Sequence, residues 1–109
     1  MVDDRHPVTP DGRYFVVRGR LWRKSDPSLP DGKREDLVRE LMDARKAIGS
    51  AKRDGDIAAE RTSRSIVNRV KRELGERGPV WWQDGSPDYN RHMARNTPYA
   101  EWFARLSTD

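Results

Sequence analysis

Two amphipathic stretches separated by a short break constrain this chain more than any other feature. Gly55 suits a left-handed helix C-cap, and Asp56 suits the N-cap of a following helix. Two helices, at about 33–53 and 56–75, joined by about three residues must run antiparallel. Their apolar positions follow the spacing of one helical face each: Leu37, Val38, Leu41, Met42, Ala44, Ile48 and Ala51, then Ala59, Ser63, Ile66, Val67, Val70 and Leu74.

The stretch 13–24 is β-branched and aromatic, which predicts one β-strand. A tight hairpin at Arg18-Gly19 is disfavoured, because arginine is a poor first residue for a type I′ turn. The segment 79–83, which carries two tryptophans, is the best partner strand and completes a two-stranded ribbon. In one extended strand, alternate residues would form two faces. The odd positions Phe15, Val17 and Leu21 would make an apolar face, and the even positions a basic–aromatic face: Tyr14, Val16, Arg18, Arg20, Trp22 and Lys24.

The remaining segments complete an expected α+β fold that is mostly helical. Residues 1–12 are polar and contain two prolines, which predicts a flexible arm. Thr97 and Pro98 predict the start of a short C-terminal helix over 97–106. The expected architecture is thus an antiparallel helical hairpin with a small two-stranded β-ribbon and a short C-terminal helix. A chain of 109 residues fits a single domain, here 13–109, with a thin core that depends on aromatic residues.

Composition excludes several classes of protein. The chain contains no cysteine, so disulfides, thiolate catalysis and cysteine-based zinc sites are excluded. We find no signal peptide and no apolar run of roughly 20 residues, so we expect a cytoplasmic protein without membrane contact. The net charge is +4, and the excess lies in residues 33–77, which hold thirteen basic and nine acidic side chains. This mild basicity permits a polyanionic partner without requiring one.

Three motifs together resemble a known family. They are DGRYFVVRGRLWR at 11–23, GERGPVWW at 75–82 and DYNRHMARNTPYA at 88–100. In these motifs the chain resembles a family of bacterial proteins of about this length with no characterised function, some of which are described as Tol-type biopolymer transporters. The resemblance would cover nearly the whole chain. It implies no mechanism and assigns no functional residue.

Two basic surfaces are candidate binding sites. The strand face that bears Tyr14 and Trp22 combines rings with cations, as single-stranded nucleic-acid sites do: Arg18, Arg20 and Lys24. The structural alternative is that Trp22 packs on a neighbour and the arginines shield an edge strand from aggregation. The second helix carries a basic stripe that could follow a phosphate backbone, formed by Arg61, Arg64, Asn68, Lys71 and Arg72. A row of this kind is more often simply a solvated helix face.

Two further clusters have weaker chemistry. The segment 84–101 is rich in oxygen and imidazole groups, with Asp88, His92 and Asn96 as candidates for acid–base or metal chemistry. Only one histidine lies there and no metal-binding spacing appears, so turn and cap chemistry is the alternative. Trp81 and Trp82 are interface candidates, because alternate residues of a strand face opposite sides and one ring would leave the core.

These observations support three hypotheses about function. The leading one is a small non-enzymatic binding or adaptor domain without a cofactor, acting through a protein partner or by self-association. Self-association follows from the thin core, since pairing would bury apolar surface that a monomer leaves exposed. The second hypothesis is nucleic-acid binding through the strand face and the helix stripe. The third is a small enzyme or metal site around Asp88 and His92.

Overall fold

The computed structural model describes residues 6–106 and shows an α+β fold that is mostly helical. The chain divides into two compact units, where the sequence led us to expect one domain. One unit combines the residues up to Ser25 with those from Val80 onward, and the other is Asp26–Pro79. The elements in chain order are β1 (Tyr14–Val17), β2 (Arg20–Arg23), α1 (Asp31–Asp54), α2 (Ile57–Leu74) and α3 (Ala100–Leu106).

The helical hairpin of α1 and α2 forms the unit 26–79 and confirms the main prediction. Gly55 ends α1 in the left-handed conformation at φ 67°. The Asp56 side chain then accepts a 3.0 Å hydrogen bond from the Ala59 amide. Aliphatic side chains from both helices form the core: Leu37, Leu41, Val70 and Leu74. Met42, which we placed on the apolar stripe, is 45% exposed.

The stretch 13–24 is a β-hairpin, so the prediction of one strand is wrong. β1 pairs antiparallel with β2, with Phe15 opposite Trp22 and Val16 opposite Leu21. The turn consists of Arg18 and Gly19, at φ 53° and 81°. A two-residue hairpin turn of this kind needs positive φ at both positions. Here Arg18 adopts it despite its side chain, so pairing within the hairpin overrides the local preference.

The predicted partner strand 79–83 is also wrong, because no strand forms there. Trp81 and Trp82 both pack into one aromatic cluster, with their ring centroids 5.1 Å apart. Successive side chains of a strand would point to opposite faces and could not do this. The indole N–H groups donate to backbone carbonyls, Trp81 to Lys24 at 3.0 Å and Trp82 to Ser86 at 2.8 Å.

Two extended segments flank the hairpin instead. Residues 7–9 lie along β1, where the Val16 amide donates to the Pro7 carbonyl and Val8 bridges Phe15. The expected flexible arm 1–12 is therefore wrong for residues 7–12, which are bonded to the hairpin; residues 1–5 lie outside the described chain. Residues 91–94 lie along β2, with hydrogen bonds of 2.8–2.9 Å at Leu21 and Gly19.

A buried cluster packs on the side of the β1–β2 hairpin, or ribbon, that carries Tyr14 and Val16; we call this the inner side. Its buried members are Tyr14, Val16, Leu21, Trp82 and Ala94. The C-terminal segment closes it: a single 3-10 turn at Ala94–Asn96 precedes Thr97, whose hydroxyl accepts a hydrogen bond from the Tyr99 amide. α3 then begins at Ala100, three residues later than predicted.

Candidate functional site

The hairpin turn decides which side chains share a face. Because the turn has two residues, the buried side carries even-numbered residues in β1 and odd-numbered residues in β2. The buried side chains are Tyr14, Val16, Leu21 and Arg23, and the opposite side carries Phe15, Val17, Arg20 and Trp22. The predicted basic–aromatic face is therefore split. Tyr14 is fully buried in the core, whereas Trp22 and Arg20 lie on the other side.

The second side carries Phe15, Trp22 and Arg20. Together with Arg91 and with Arg18 of the adjoining turn, we call it the outer face. Phe15 and Trp22 are directly opposed across the strands, and both are half-buried. The Arg91 guanidinium lies 6.0 Å from the centre of the Trp22 ring, within cation–π range. Arg20 donates to the Arg91 carbonyl at 2.5 Å. The outer face is thus an aromatic pair bordered by cations.

Two arginines of the outer face have an uncommon backbone conformation. Among residues 6–106, only Arg18 and Arg91 have a positive φ without being glycine, at 53° and 73°. Such a conformation costs an ordinary side chain roughly 1–2 kcal/mol. Both side chains are exposed, and neither they nor Arg20 contact a carboxylate of the described chain. Arg18 and Arg91 thus have a strained backbone, and neither side chain forms an ion pair with a described carboxylate that would offset this cost.

Two carboxylates near the β1–β2 hairpin, Asp84 and Asp11, form hydrogen bonds with side chains of the same unit. Asp84 pairs with Arg13, whose guanidinium lies 4.7 Å from the Trp82 ring centre, and this hydrogen bond lowers the pKa of Asp84 to about 2. Asp11 accepts hydrogen bonds from Tyr99 and Thr9. Burial raises its pKa, but these bonds outweigh that effect and hold the pKa below its ordinary value. Asp84 and Asp11 are therefore both engaged by partners of their own.

A buried polar network occupies the inner side of β2. The Arg23 side chain is fully buried and pairs with Asp88 at 2.7 Å. The Tyr14 hydroxyl accepts a 2.8 Å hydrogen bond from the Tyr89 amide and lies 3.4 Å from Asp88. The Asn90 side chain accepts a hydrogen bond from the Arg23 amide. Burial of polar groups at this density is stable because they satisfy one another.

This network predicts a loss of stability in alkali. Burial, followed by the nearby Asp88 charge, raises the pKa of Tyr14 to about 12 although the Tyr89 amide opposes the shift, and burial also raises the pKa of Tyr99. Because the unfolded tyrosine ionises near 10.0, stability that is complete below pH 10 is lost as the pH rises through 12. Thermal unfolding across this range should show a falling midpoint, and Tyr14→Phe should flatten the fall. A midpoint independent of pH would contradict the assignment.

The structure distributes the other predicted site residues over both units. Lys24 lies just beyond β2 and is half-buried. On α2, Arg61, Arg64, Asn68 and Arg72 are exposed and Lys71 is half-buried. Trp82 is 8% exposed and belongs to the core, and Trp81 is half-buried against the same cluster.

The C-terminal candidates do not form one site. Asp88 pairs with Arg23, whereas His92 is exposed and packs edge-on against Tyr89 at 5.7 Å. Asn96 is exposed in the 3-10 turn. Within residues 6–106, no three His, Cys, Asp or Glu side chains are grouped so that they could hold a metal ion. This segment uses Asp88 as an ion-pair partner for a buried arginine.

Two residues of the outer face were absent from our predicted site. Phe15 was assigned to the apolar face, and Arg91 lies far away in the sequence. Buried residues alternate along both strands, but they are even-numbered before Arg18-Gly19 and odd-numbered after it. Such a change marks a two-residue turn, and recognising it would have placed Phe15 on the same side as Trp22. Arg91 joins the face through the pairing of residues 91–94 with β2, which is non-local.

Comparison with protein-family models, curated proteins and solved structures finds no match to this chain. None of the described helices combines the length and apolar character needed to cross a membrane. The geometry of the outer face is therefore the basis for assigning a function.

Proposed function

We propose that this protein is a non-catalytic binding domain and that its outer face binds single-stranded nucleic acid. The supporting observation is the placement of Arg18 and Arg91. They are the two strained non-glycine residues of the described chain, and both are exposed arginines without a carboxylate partner. Arg91 lies 6.0 Å from the Trp22 ring centre, and Arg18 lies in the turn that joins the two strands of the aromatic pair. Backbone strain of this kind concentrates at ligand sites, where the ligand supplies what the free protein lacks.

The chemistry of the outer face suits unpaired nucleotides. Flat rings such as those of Phe15 and Trp22 stack on bases of any sequence, and each stacked base is worth roughly 1–3 kcal/mol. Arginine side chains at the border of the rings bind the phosphates. Bases within a duplex are stacked on each other and present their edges, so a flat aromatic surface favours single strands.

The alternatives receive less support. The enzyme hypothesis depends on Asp88, but this carboxylate forms an ion pair with Arg23 and lies 3.4 Å from the Tyr14 hydroxyl. The absence of cysteine is in keeping with our placement of the protein in the cytoplasm. Self-association remains a second candidate, favoured by the exposure of Met42 at 45% and Ile57 at 71%. Sedimentation over a range of concentrations tests it: dimers would support this alternative, and monomers throughout would contradict it.

Fluorescence anisotropy with labelled oligonucleotides tests the proposal directly. A single strand should bind at low salt, and its affinity should fall about twentyfold between 50 and 200 mM salt if about three phosphates are contacted. A duplex of the same sequence should bind more weakly, because its bases are not available for stacking. Equal binding of single and double strands, or no binding at low salt, would contradict the proposal.

Arg18→Asn separates the binding role of Arg18 from its structural role. Asparagine is favoured at the first position of a type I′ turn, so the variant should be more stable by about 0.5–1 kcal/mol. It also removes one phosphate contact, so its affinity for a single strand should fall about three- to tenfold at low salt. Thermal unfolding and anisotropy together check both effects.

The control for this variant is Arg45→Gln, which removes the same charge from an exposed position of α1. Its affinity should stay within about twofold of the unmodified protein, since long-range charge effects are screened. If Arg18→Asn raises the stability and leaves the affinity unchanged, Arg18 serves neither fold nor ligand, and the proposed site is wrong.

A further inference from the structure

The outer face extends onto the segment that precedes β1. Val8 bridges Phe15, so residues 7–9 continue the sheet beside β1. Paired residues of antiparallel strands place their side chains on the same side, and residues two apart in an extended segment share that side. The position of His6, two residues before Val8, therefore brings its ring to the side that carries Phe15. The ring contact agrees with this placement: the His6 and Phe15 centroids are 6.1 Å apart, with the planes tilted by 31°.

Three rings thus follow one another across the sheet. His6 lies beside Phe15, Phe15 lies directly opposite Trp22, and all three residues are half-buried. We call these three residues the ring row. Neighbouring strands are about 4.7–4.9 Å apart, so the ring row crosses β1 and β2 instead of following either strand. Its rings are on one side of the sheet and at neighbouring positions, which is the arrangement that successive unpaired bases need for stacking.

Two arginines mark one end of the ring row. The Arg91 guanidinium lies 6.0 Å from the centre of the Trp22 ring. Arg20 donates to the Arg91 carbonyl, which brings a second guanidinium to the same end. Phosphate contacts are therefore available beside Trp22, whereas the contribution of His6 at the other end is a flat ring.

We propose that three successive bases of a single strand stack on the ring row, and that His6 is the third base-binding residue. This inference rests on the proposed function, because it sets the direction and the site size of the same strand. A dinucleotide is held by Trp22 and Phe15 together with the arginines. A third nucleotide gains the His6 ring, and a fourth meets no further ring of the row. Affinity therefore rises sharply from two nucleotides to three and then levels off.

Titration of the full chain with unlabelled di-, tri- and hexathymidylate at low salt, followed by tryptophan fluorescence, tests this site size. Affinity should rise at least about fivefold from the dinucleotide to the trinucleotide, the lower limit for one base–aromatic stack. His6→Ala should abolish this rise and leave the affinity for the dinucleotide unchanged. His6→Phe should restore the rise, because it keeps a flat ring without the imidazole nitrogens. An equally steep rise with each nucleotide beyond the third would contradict the ring row.

The matched control is His92→Ala, which removes the same side chain from an exposed position that packs edge-on against Tyr89. Its affinities for all three strands should stay within about twofold of the unmodified protein, as is usual for a surface substitution away from the ligand. Selective loss of the trinucleotide gain in His6→Ala, with recovery in His6→Phe, supports the inference.

The failures of the two proposals are distinguishable. If no single strand binds the unmodified protein, the proposed function fails and this inference fails with it. If hexathymidylate binds and His6→Ala keeps the gain from two to three nucleotides, only the ring row is overturned. An equal loss of affinity at all three lengths, accompanied by a lower unfolding midpoint, would show that His6 supports the segment 7–9 and does not bind a base.

Discussion

Asp88→Ala is expected to destabilise the unit that contains the ribbon by about 3 kcal/mol. The substitution removes the carboxylate at 2.7 Å from Arg23, whose side chain has no exposed surface. Removing one member of a buried ion pair typically costs roughly 3–5 kcal/mol, because the remaining charge loses its partner without regaining water. We expect the lower end of this energy range, because the Asp88 side chain is 37% exposed and solvent weakens the ion pair. This is a large part of the roughly 5–15 kcal/mol that stabilises a typical domain.

Tryptophan fluorescence is the appropriate measurement for this variant. All four tryptophans, and all nine aromatic residues, lie in the unit that contains the ribbon. Denaturation followed by fluorescence therefore reports on that unit, whereas far-ultraviolet circular dichroism is dominated by α1 and α2. The control is Asp43→Ala, the same substitution at an exposed site on α1, which should leave the fluorescence transition unchanged. A loss below about 0.5 kcal/mol for Asp88→Ala would show that Arg23 does not depend on this carboxylate.

Local patterns predicted the helical unit well. The spacing of apolar side chains located α1 and α2, and Gly55 and Asp56 marked the break between them. These features depend on helical periodicity and on capping, which act over three to four residues. Helix ends were less accurate. α1 begins at Asp31, where the preceding Pro30 provides no side-chain cap.

The ribbon was harder to predict because its partners are distant in the chain. β2 pairs with residues 91–94, and the partner strand that we assigned to 79–83 does not form. The turn at Arg18 also violates a local preference, and that error inverted the faces of Tyr14 and Phe15. The uneven distribution of aromatic residues was an available signal. It separates an aromatic unit from an aliphatic helical one, as the structure does.

The candidate site was predicted in part. Arg20 and Trp22 are alternate residues of β2 and share one side of it, whereas Arg18 lies in the turn. Tyr14 was misplaced because the turn shifts the phase of alternation. Arg91 could not be found without the three-dimensional pairing that brings it near Trp22. Functional residues that join a site through non-local contacts leave no periodic trace in the sequence.

Trp22→Ala is expected to weaken single-strand binding by about 5- to 150-fold. This range corresponds to the roughly 1–3 kcal/mol that one base–aromatic stack contributes. Trp22 is the larger ring of the outer face, directly opposite Phe15 and within cation–π range of Arg91. Its removal takes away a stacking surface and also leaves Arg91 without the ring that helps to orient it. Trp22→Phe keeps a flat ring and should recover most of the affinity.

Trp81→Ala is the matched control, because it makes the same truncation on the inner side of the ribbon. Trp81 is half-buried against the aromatic cluster and bonds the Lys24 carbonyl, so this variant should lose stability. Its affinity for a single strand, measured well below its unfolding midpoint, should stay close to that of the unmodified protein. If both tryptophan variants lose affinity in proportion to their loss of stability, the effect of Trp22 is structural and the outer face is not the binding surface. If Trp22→Ala alone loses affinity, stacking on the outer face accounts for binding, because Trp81→Ala makes the same truncation on the inner side.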